Sequence, residues 1–401
     1  LGLCYLVATA EKKYSVVGCD KLNIIQNIKK NNYLKEPKIF EYYKKNKRKI
    51  RLTADIKKLN ECEIIYFSFD TPIKLDGYPD TSFINQQLIF LLKNIDPKKT
   101  IIILSQVYPG FTKKIKWDKD RLFYQVETLI FGNAFERALN PERIIIGLNK
   151  DRSISKISSF LKSFSSKIIK CNYQTAELTK ISINIFLISS INTTNLITEI
   201  SKKFNADWNK ISDSLKLDKR IGKYAYLIPS IGLSGSNLLR DLNVVKSILA
   251  KNQLFNKAEL VNFWHKQALD QNWTINEFKK IILKKQKYNC LVLGLAYKKN
   301  TNSTINSASI SFLNKISKFQ NCKFFAYDPE VKSIRIKKVS ILKNINDFKF
   351  NKNKNVLIVM TQWDQFNIIK KNYLSKFDVI LDPYKFFFEK RIFKNKYISL
   401  Y

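Results

Sequence analysis

Short, uninterrupted apolar runs rich in β-branched residues alternate with stretches of helical spacing, and this alternation limits the possible folds more than any other feature. "YSVVGCD" (14–20), "EIIYFSF" (63–69), "TIIILSQV" (100–107) and "RIIIGL" (143–148) come first. "YNCLVLGLAY" (288–297), "KFFAYD" (323–328), "NVLIVMTQ" (355–362) and "DVILDP" (378–383) come last. A strand with one face in water alternates apolar and polar residues. A continuously apolar run belongs to a strand covered by helices on both faces, the condition of a parallel sheet. Helical spacing over Asp20–Asn32 and Ser82–Lys93 supplies such covers. Each end of the chain is therefore expected to be a Rossmann-like, doubly wound α/β domain. Between them, residues 174–204 keep helical spacing without a proline or glycine, and shorter helical patterns follow at 208–215, 238–251, 259–268 and 275–285. The expected domains are 1–172, 173–286 and 287–401. No internal repeat of solenoid period is present.

The chain has 401 residues, too many for one ordinary core. Its formal charge is +38, from 71 Lys+Arg against 33 Asp+Glu. Such a charge suits a polyanionic partner, but it equally suits lysines solvating every surface. Lysines dominate and are spread along the chain, whereas specific phosphate readers favour the planar fork of arginine. No nucleic-acid-binding module or aromatic–basic platform is recognisable, so no specific nucleic-acid partner is expected. The six cysteines, at 4, 19, 62, 171, 290 and 322, form no CxxC pair. Four lie in or beside apolar runs, which predicts reduced, packed thiols rather than disulfides or a metal site. The only histidine, His265, sits in the amphipathic pattern "LVNFWHKQAL" and is expected at the surface. Any general base is then Asp, Glu, Lys or water. No apolar run reaches the ~18 residues of a membrane span. The expectation is a cytoplasmic chain without a membrane partner.

Two local features point to chemistry. Asp20 closes an apolar run, where a dinucleotide-binding fold places the acid that accepts the adenosine ribose hydroxyls. An aspartate ending a strand is also an ordinary turn residue. The glycine-rich turn that should precede it by about 20 residues is represented only by Gly2, where the chain begins. The stretch "SIGLSGSNLLRD" (230–241) packs Gly232 and Gly235 into a chain with ten glycines in all, as expected where the backbone must admit a close neighbour.

Taken together, these segments resemble the UDP-glucose/GDP-mannose dehydrogenase family, most closely its UDP-glucose dehydrogenase branch. "GLCYLVATA…YSVVGCD" is similar to the end of the GxGYVGL turn, its helix and second strand. "DTPIKLDGYPDTS" (70–82) resembles GTP…DGSADLS, and "SQVYPGFT" (105–112) stands where STVPVGTT is usual. "VETLIFGNAFERALNPERIIIG" (126–147) follows PEFLREGSA…NPDRIVIG without a gap. "TAELTKISINIFL" (175–187), "RIGKYAYLIPSIGLSGSNLLRD" (220–241) and "LGLAYKKNT" (293–301) complete the match over nearly the whole chain.

The resemblance implies two Rossmann-like domains joined by a long helix, a helical region that makes a homodimer, NAD as cofactor and a nucleotide sugar, most naturally a UDP-sugar, as substrate. It assigns Gly2, Asp20, Thr71, Ser105 and Gln106 to the cofactor. Lys180 and Asn184, four apart on one helix face, match the pair that stabilises the oxyanion as the alcohol loses hydride. Asp241 matches the aspartate that helps water or lysine take the proton. Glu127 matches the first glutamate of PEFLRE, tied to the intermediate and its hydrolysis. Arg220, Tyr226, Gly232, Gly235 and Lys298 fall at substrate positions. No metal is implied. Without the resemblance, Lys180 and Asn184 read first as a solvated face, and Asp241 also reads as a first-turn carboxylate favoured by the helix dipole.

The departures cluster on the second oxidation. The family's GGSCFPKD carries its nucleophilic cysteine fourth, and here the residues are Ser234-Gly235-Ser236-Asn237. An amide has no lone pair comparable to a thiolate, so Asn237 cannot form the thioester through which the family oxidises its alcohol by four electrons. Gln106 replaces a threonine, Phe131 the second glutamate of FLRE, and Ile305 the arginine of RES, while "DPYK" (382–385) replaces a DxRN-like segment. The expected function is NAD-dependent oxidation of a nucleotide-sugar CH–OH limited to two electrons. The alternative is a catalytically idle nucleotide-sugar-binding homologue.

Overall fold

The computed structural model describes residues 1–30, 36–74, 77–235, 237–269, 272–283, 285–390 and 396–401, which form two compact units, Leu1–Ile183 and Asn184–Tyr401. Of the segments singled out above, residues 75–76 of the 70–82 stretch and Ser236 lie outside the described residues.

The first unit begins with helix α1 (Gly2–Glu11), followed by the parallel pair β1 (Val16–Cys19) and β2 (Ile50–Thr53). A separate five-stranded sheet has the order β3 (Ile64–Phe67), β4 (Thr100–Ile103), β5 (Leu122–Gln125), β6 (Ile144–Gly147) and β7 (Ile168–Cys171). Its pairings are parallel except β5 with β6. Every residue of β4, β5 and β6 is buried, as continuous apolar runs require. β1 is only half-buried. Among the described residues it pairs with β2 alone, and β3 pairs with β4 alone, so each leaves one edge open. Helix α1 packs against both sheets: Tyr5 meets the ring of Tyr66 on β3 at 5.4 Å, and Leu6 lies against Gly18 on β1. Helix α2 (Thr81–Asn94) starts where Asp80 accepts the amides of Ser82 and Phe83, a side-chain cap worth about 1 kcal/mol.

The second unit carries an all-parallel six-stranded sheet in the order β10 (Val339–Ile341), β9 (Cys322–Tyr327), β8 (Tyr288–Leu293), β11 (Lys354–Val359), β12 (Val379–Leu381) and β13 (Lys396–Ile398). Its core gathers β8, wholly buried, with Phe278, Phe312, Phe324 and Trp363. The strands β2, β5, β7, β10 and β13 were not legible as apolar runs. Four of them are edge or near-edge strands of three or four residues interrupted by Arg, Lys or Ser. β5, "LFYQ", is buried but has no β-branched residue.

Two short helices, α3 (Phe111–Lys114) and α4 (Ala134–Leu139), follow the loops after β4 and β5. The boundary between the units falls inside the 31-residue helix α5 (Tyr173–Lys203), whose start is capped by the Asn172 side chain accepting from Thr175 N–H at 2.8 Å. By length and composition α5 is apolar enough to cross a bilayer, with a window of mean hydropathy 1.2. The sequence expectation overlooked this because Ser, Thr and Asn break every apolar run. Only 39% of that window is buried inside the molecule, yet α5 hydrogen-bonds through Asn184 and Thr194 to side chain and backbone of its own unit, as a core helix does. In the second unit it shares an apolar cluster with α6 (Asn237–Lys251) and α7 (Phe255–Leu269), built on Ile188, Ile191, Leu233, Leu242, Leu249 and Val261. His265 is half-buried on α7 rather than at the surface, and burial, with Lys246, pushes its imidazole below the usual range.

Candidate functional site

In the first unit the cofactor candidates stand at the carboxyl ends of strands. Parallel strands there deliver loop residues and backbone N–H groups to one edge. Gly2 opens α1, and a Cβ on it would lie 2.7 Å from Ser68 Oγ, just past β3, so a side chain there would have to turn the serine hydroxyl away. No side chain caps α1. Asp20 follows β1 and is exposed, with Oδ1 accepting from Lys21 N–H at 2.7 Å. An uncapped helix start beside a small residue suits a pyrophosphate, and an exposed strand-end carboxylate suits ribose hydroxyls, so these residues fit a dinucleotide. Thr71 and Ser105 are buried. Thr71 donates to Gln106 O (2.6 Å) and Ser105 to Phe69 O (2.7 Å), lacing the loops after β3 and β4 together. Gln106 is half-buried in the same loop.

Lys180, on α5, donates to the main-chain oxygen of Glu127 at 2.6 Å and to its Oε2 at 3.2 Å; both side chains are largely buried. Glu127 Oε1 in turn accepts from Leu129 N–H. Two further carboxylates, not anticipated from the sequence, brace the neighbouring loops. Glu177, one turn before Lys180 and fully buried, accepts from Gly110 N–H (2.5 Å) and Thr112 N–H (2.8 Å). Burial raises its carboxyl above the ordinary range against the pull of these amides. Glu36, also buried, accepts from Gly132 N–H (2.9 Å) and Ala134 N–H (2.5 Å). Glu177 had a signal in the "TAELTK" motif. Glu36 had none, since its backbone partners lie far along the chain.

In the second unit Asn184 donates through Nδ2 to Asp241 Oδ2, and Arg240 Nε donates to Asp241 Oδ1 at 3.2 Å. All three are buried, Asp241 completely. Asn237 is the first residue of α6 and is exposed. The glycine-rich turn ahead of it is held from the α/β part of the unit. Gly235 has φ +83°, its Cβ would meet the Tyr297 ring at 3.1 Å, and its carbonyl accepts from Asn306 Nδ2 at 3.0 Å. Both observations demand glycine there. Gly232 also has positive φ, and Tyr384 hydrogen-bonds the backbone of the preceding Ile231. Lys298 sits over the Tyr297 ring at 5.7 Å, and burial pushes that phenol up to about 12. The carbonyl of Tyr226 accepts from Thr194 Oγ1 while its side chain is half-exposed. Arg220 is the outlier. Its guanidinium is bound to Asp218 at 2.6 and 3.0 Å and its side chain is 89% exposed.

In the "DPYK" segment, Asp382 is buried, accepts on Oδ2 from Phe387 N–H (2.8 Å) and Tyr397 Oη (2.5 Å), and has no hydrogen-bond partner on Oδ1. Burial raises its carboxyl above the ordinary range. A carboxyl whose folded-state pKa is raised contributes fully below its unfolded pKa and loses that contribution as pH climbs through the folded value. The neutral Asp382→Asn variant should therefore gain stability relative to the parent as pH rises from acid to neutral. Urea midpoints of the two proteins across that range read the difference, and a constant difference would contradict it.

All six cysteines are free, and burial raises the thiols of Cys4 (to about 11), Cys19, Cys62, Cys171 and Cys290; Cys290 and Cys322 hydrogen-bond one another. Among the described residues no cluster of His, Cys, Asp and Glu is arranged to hold a metal ion.

Residues 1–165 match the NAD binding domain of the UDP-glucose/GDP-mannose dehydrogenase family, 174–266 its central domain and 291–388 its UDP binding domain. The putative UDP-glucose 6-dehydrogenase YtcA of Bacillus subtilis (strain 168) is 25% identical over 385 residues, covering 91% of this chain and 89% of that protein. The UDP-glucose 6-dehydrogenase of Rickettsia bellii (strain RML369-C) is 29% identical over 342 residues, covering 81% and 78%. The solved structure of a UDP-glucose dehydrogenase from the hyperthermophilic archaeon Pyrobaculum islandicum shares the fold at a TM-score of 0.84 and 19% identity, over 100% of this chain and 95% of that one. With three consecutive domains matched in order, the chain belongs to the UDP-glucose/GDP-mannose dehydrogenase family and is a divergent NAD-dependent nucleotide-sugar dehydrogenase.

Proposed function

We propose that this protein oxidises one CH–OH group of a UDP-sugar to the carbonyl and stops there, after two electrons. The observation that carries the reading is Asn237. The first residue of α6 is an amide where the family has its thiol, while Lys180, Asn184 and Asp241 remain in hydrogen-bonded pairs. Lys180 has three N–H donors and gives two hydrogen bonds to Glu127, leaving one for the substrate oxygen. Asn184 has two and gives one to Asp241. Lying one turn apart on α5, the cation and the amide stabilise negative charge as it grows on that oxygen. The hydroxyl proton passes through a water to Asp241, and NAD⁺, which Gly2 and Asp20 would hold, would supply the acceptor for the hydride. The products are the carbonyl sugar, NADH and one proton. Asn237 contacts the sugar through its amide. Burial holds Cys4, Cys19, Cys62, Cys171 and Cys290 toward their inert, protonated form, and Cys322, lowered by its hydrogen bond to Cys290, is itself buried in β9.

Gly2 and Asp20 hold the dinucleotide, and Thr71, Ser105 and Gln106 shape its loop. Gly232, Gly235, Tyr226 and Lys298 surround the nucleotide sugar. Arg220, exposed and clear of its own unit's core, suits a partner subunit's site. Region 173–286 forms a homodimer, supported by the exposed Phe186, Leu196 and Ile200 on α5, Phe204 just after it, and Phe255 and Phe263 on α7. The domain division 1–172, 173–286 and 287–401 and a cytoplasmic location belong to the same reading.

The test is electron counting. The full-length protein, given NAD⁺ and a panel of UDP- and GDP-sugars, should form one NADH per sugar and no uronic acid. Asn237→Cys places a thiol at a helix start, where its thiolate is favoured, and should move the ratio toward two with a trappable thioester. Two NADH per sugar from the unsubstituted protein would refute the proposal. The idle-homologue reading draws on a different observation, the divided sheet that leaves α1 and Asp20 on a two-stranded ribbon. Calorimetry detecting sugar-nucleotide binding and no NAD⁺ binding would favour it.

A further inference from the structure

Glu36 takes no part in the chemistry above, yet its carboxylate is buried and doubly bonded to a loop that does. We infer that Glu36 is a positioning residue for Lys180. It fixes the 127–134 loop, and the loop presents Glu127 to the lysine amine. The inference rests on the reading of Lys180 as the cation at the reacting oxygen.

The loop begins at Glu127, where two different oxygens accept from Lys180 Nζ, and ends at Ala134, the first residue of α4. Its far end is anchored by packing. Ala134, Phe135, Ala138 and Leu139 join Leu3, Cys4 and Val7 of α1 and Ile39 and Tyr43 in one apolar cluster. Its tip is not anchored in that way, since Ile130 and Phe131 are 52% and 47% exposed. Polar ties hold the tip instead. Asn133 N–H donates to Ile130 O (2.9 Å), Arg137 Nε to Thr128 O (2.9 Å), and Gly132 and Ala134 N–H to the two oxygens of Glu36. Of these ties, the two to Glu36 end on a buried carboxylate, the setting in which a hydrogen bond is strongest. The carboxylate also lies at the start of α4, where the helix dipole favours negative charge. Glu36 itself is steadied by the next turn, Ile39 N–H donating to its carbonyl and the Ile39 side chain being buried. Both lysine acceptors belong to Glu127, the loop's first residue, so a shift of the loop that reaches this residue moves both at once.

Glu36→Gln tests this in the full-length protein. The amide keeps one acceptor and turns its NH₂ toward a backbone N–H. Hydrogen exchange at 128–134 should accelerate about tenfold or more, the equivalent of one charge-assisted bond. Acetylation of the Lys180 amine by an amine-reactive reagent, read by mass spectrometry, should rise to within about twofold of its rate in Glu127→Gln, which removes the carboxylate charge and leaves the main-chain acceptor. With a turned-over sugar, kcat should fall while KM stays within about twofold, the pattern of an interaction felt mainly in the transition state. Faster exchange with Lys180 as protected as in the parent would make Glu36 a cap for α4 and nothing more, and would overturn the inference; so would unchanged exchange in a folded variant. Should Glu36→Gln fail to fold, Glu36→Asp, one methylene short of both amides, is read by the same measurements. Neither exchange nor acetylation needs turnover. An inactive protein showing both shifts would therefore sink the catalytic reading of Lys180 and leave the coupling standing.

Discussion

Lys180→Met should lower kcat for hydride transfer by about 10²–10³, the usual effect of removing one preorganised group from a developing oxyanion. Methionine follows the lysine stem through its largely buried path and removes only the charged end. If the ammonium acts on the reacting oxygen, kcat falls and the KM of the sugar nucleotide changes little, because the charge it meets is small in the ground state. Glu127 keeps Leu129 N–H as a partner but loses the lysine, so a separate stability loss of about 1–3 kcal/mol accompanies the change. Urea unfolding of the same sample separates the two effects. A kcat within about threefold of the parent would remove Lys180 from the mechanism.

Asp241→Ala should cost about 3–5 kcal/mol of stability, independently of any view of the reaction. Its carboxylate is completely buried between Arg240 Nε and the Asn184 amide, and both partners are themselves buried. Deleting it takes a buried acceptor from a guanidinium and an amide, which is far more costly than losing an exposed pair. Asp241→Asn preserves the shape and one acceptor and should lose less, yet it removes the proton acceptor and should be nearly inactive at neutral pH. The urea midpoint of each variant, set beside its rate of NADH formation, distinguishes the two roles. A loss below about 1 kcal/mol for the alanine variant would mean that Asp241 is not holding the second unit together.

Strands covered on both faces were legible because burial favours apolar residues along nearly their whole length; β4, β6 and β8 follow that rule but for the buried Thr100 and Asn289. β1 has the same composition but is only half-buried, since what covers a strand depends on its neighbours and not on its own residues. Helix spacing put Lys180 and Asn184 on one face of α5, but no spacing rule could reveal that Lys180 would bond to Glu127, or Asn184 to Asp241. Such pairings join residues more than fifty positions apart. Glu36 and Glu177 show the same limit more sharply. Their partners are backbone amides, which every residue but proline carries, so nothing in the sequence marks where those carboxylates will dock.

The ribbon of β1 and β2 has a thermodynamic consequence of its own. Two-stranded sheets are marginal in isolation, and this one leans on α1 for cover. On that ground the ribbon should open at lower free energy than the five-stranded sheet. A ligand gripping Gly2 and Asp20 at once would close that fluctuation, so dinucleotide affinity and the order of this corner rise and fall as one linked equilibrium.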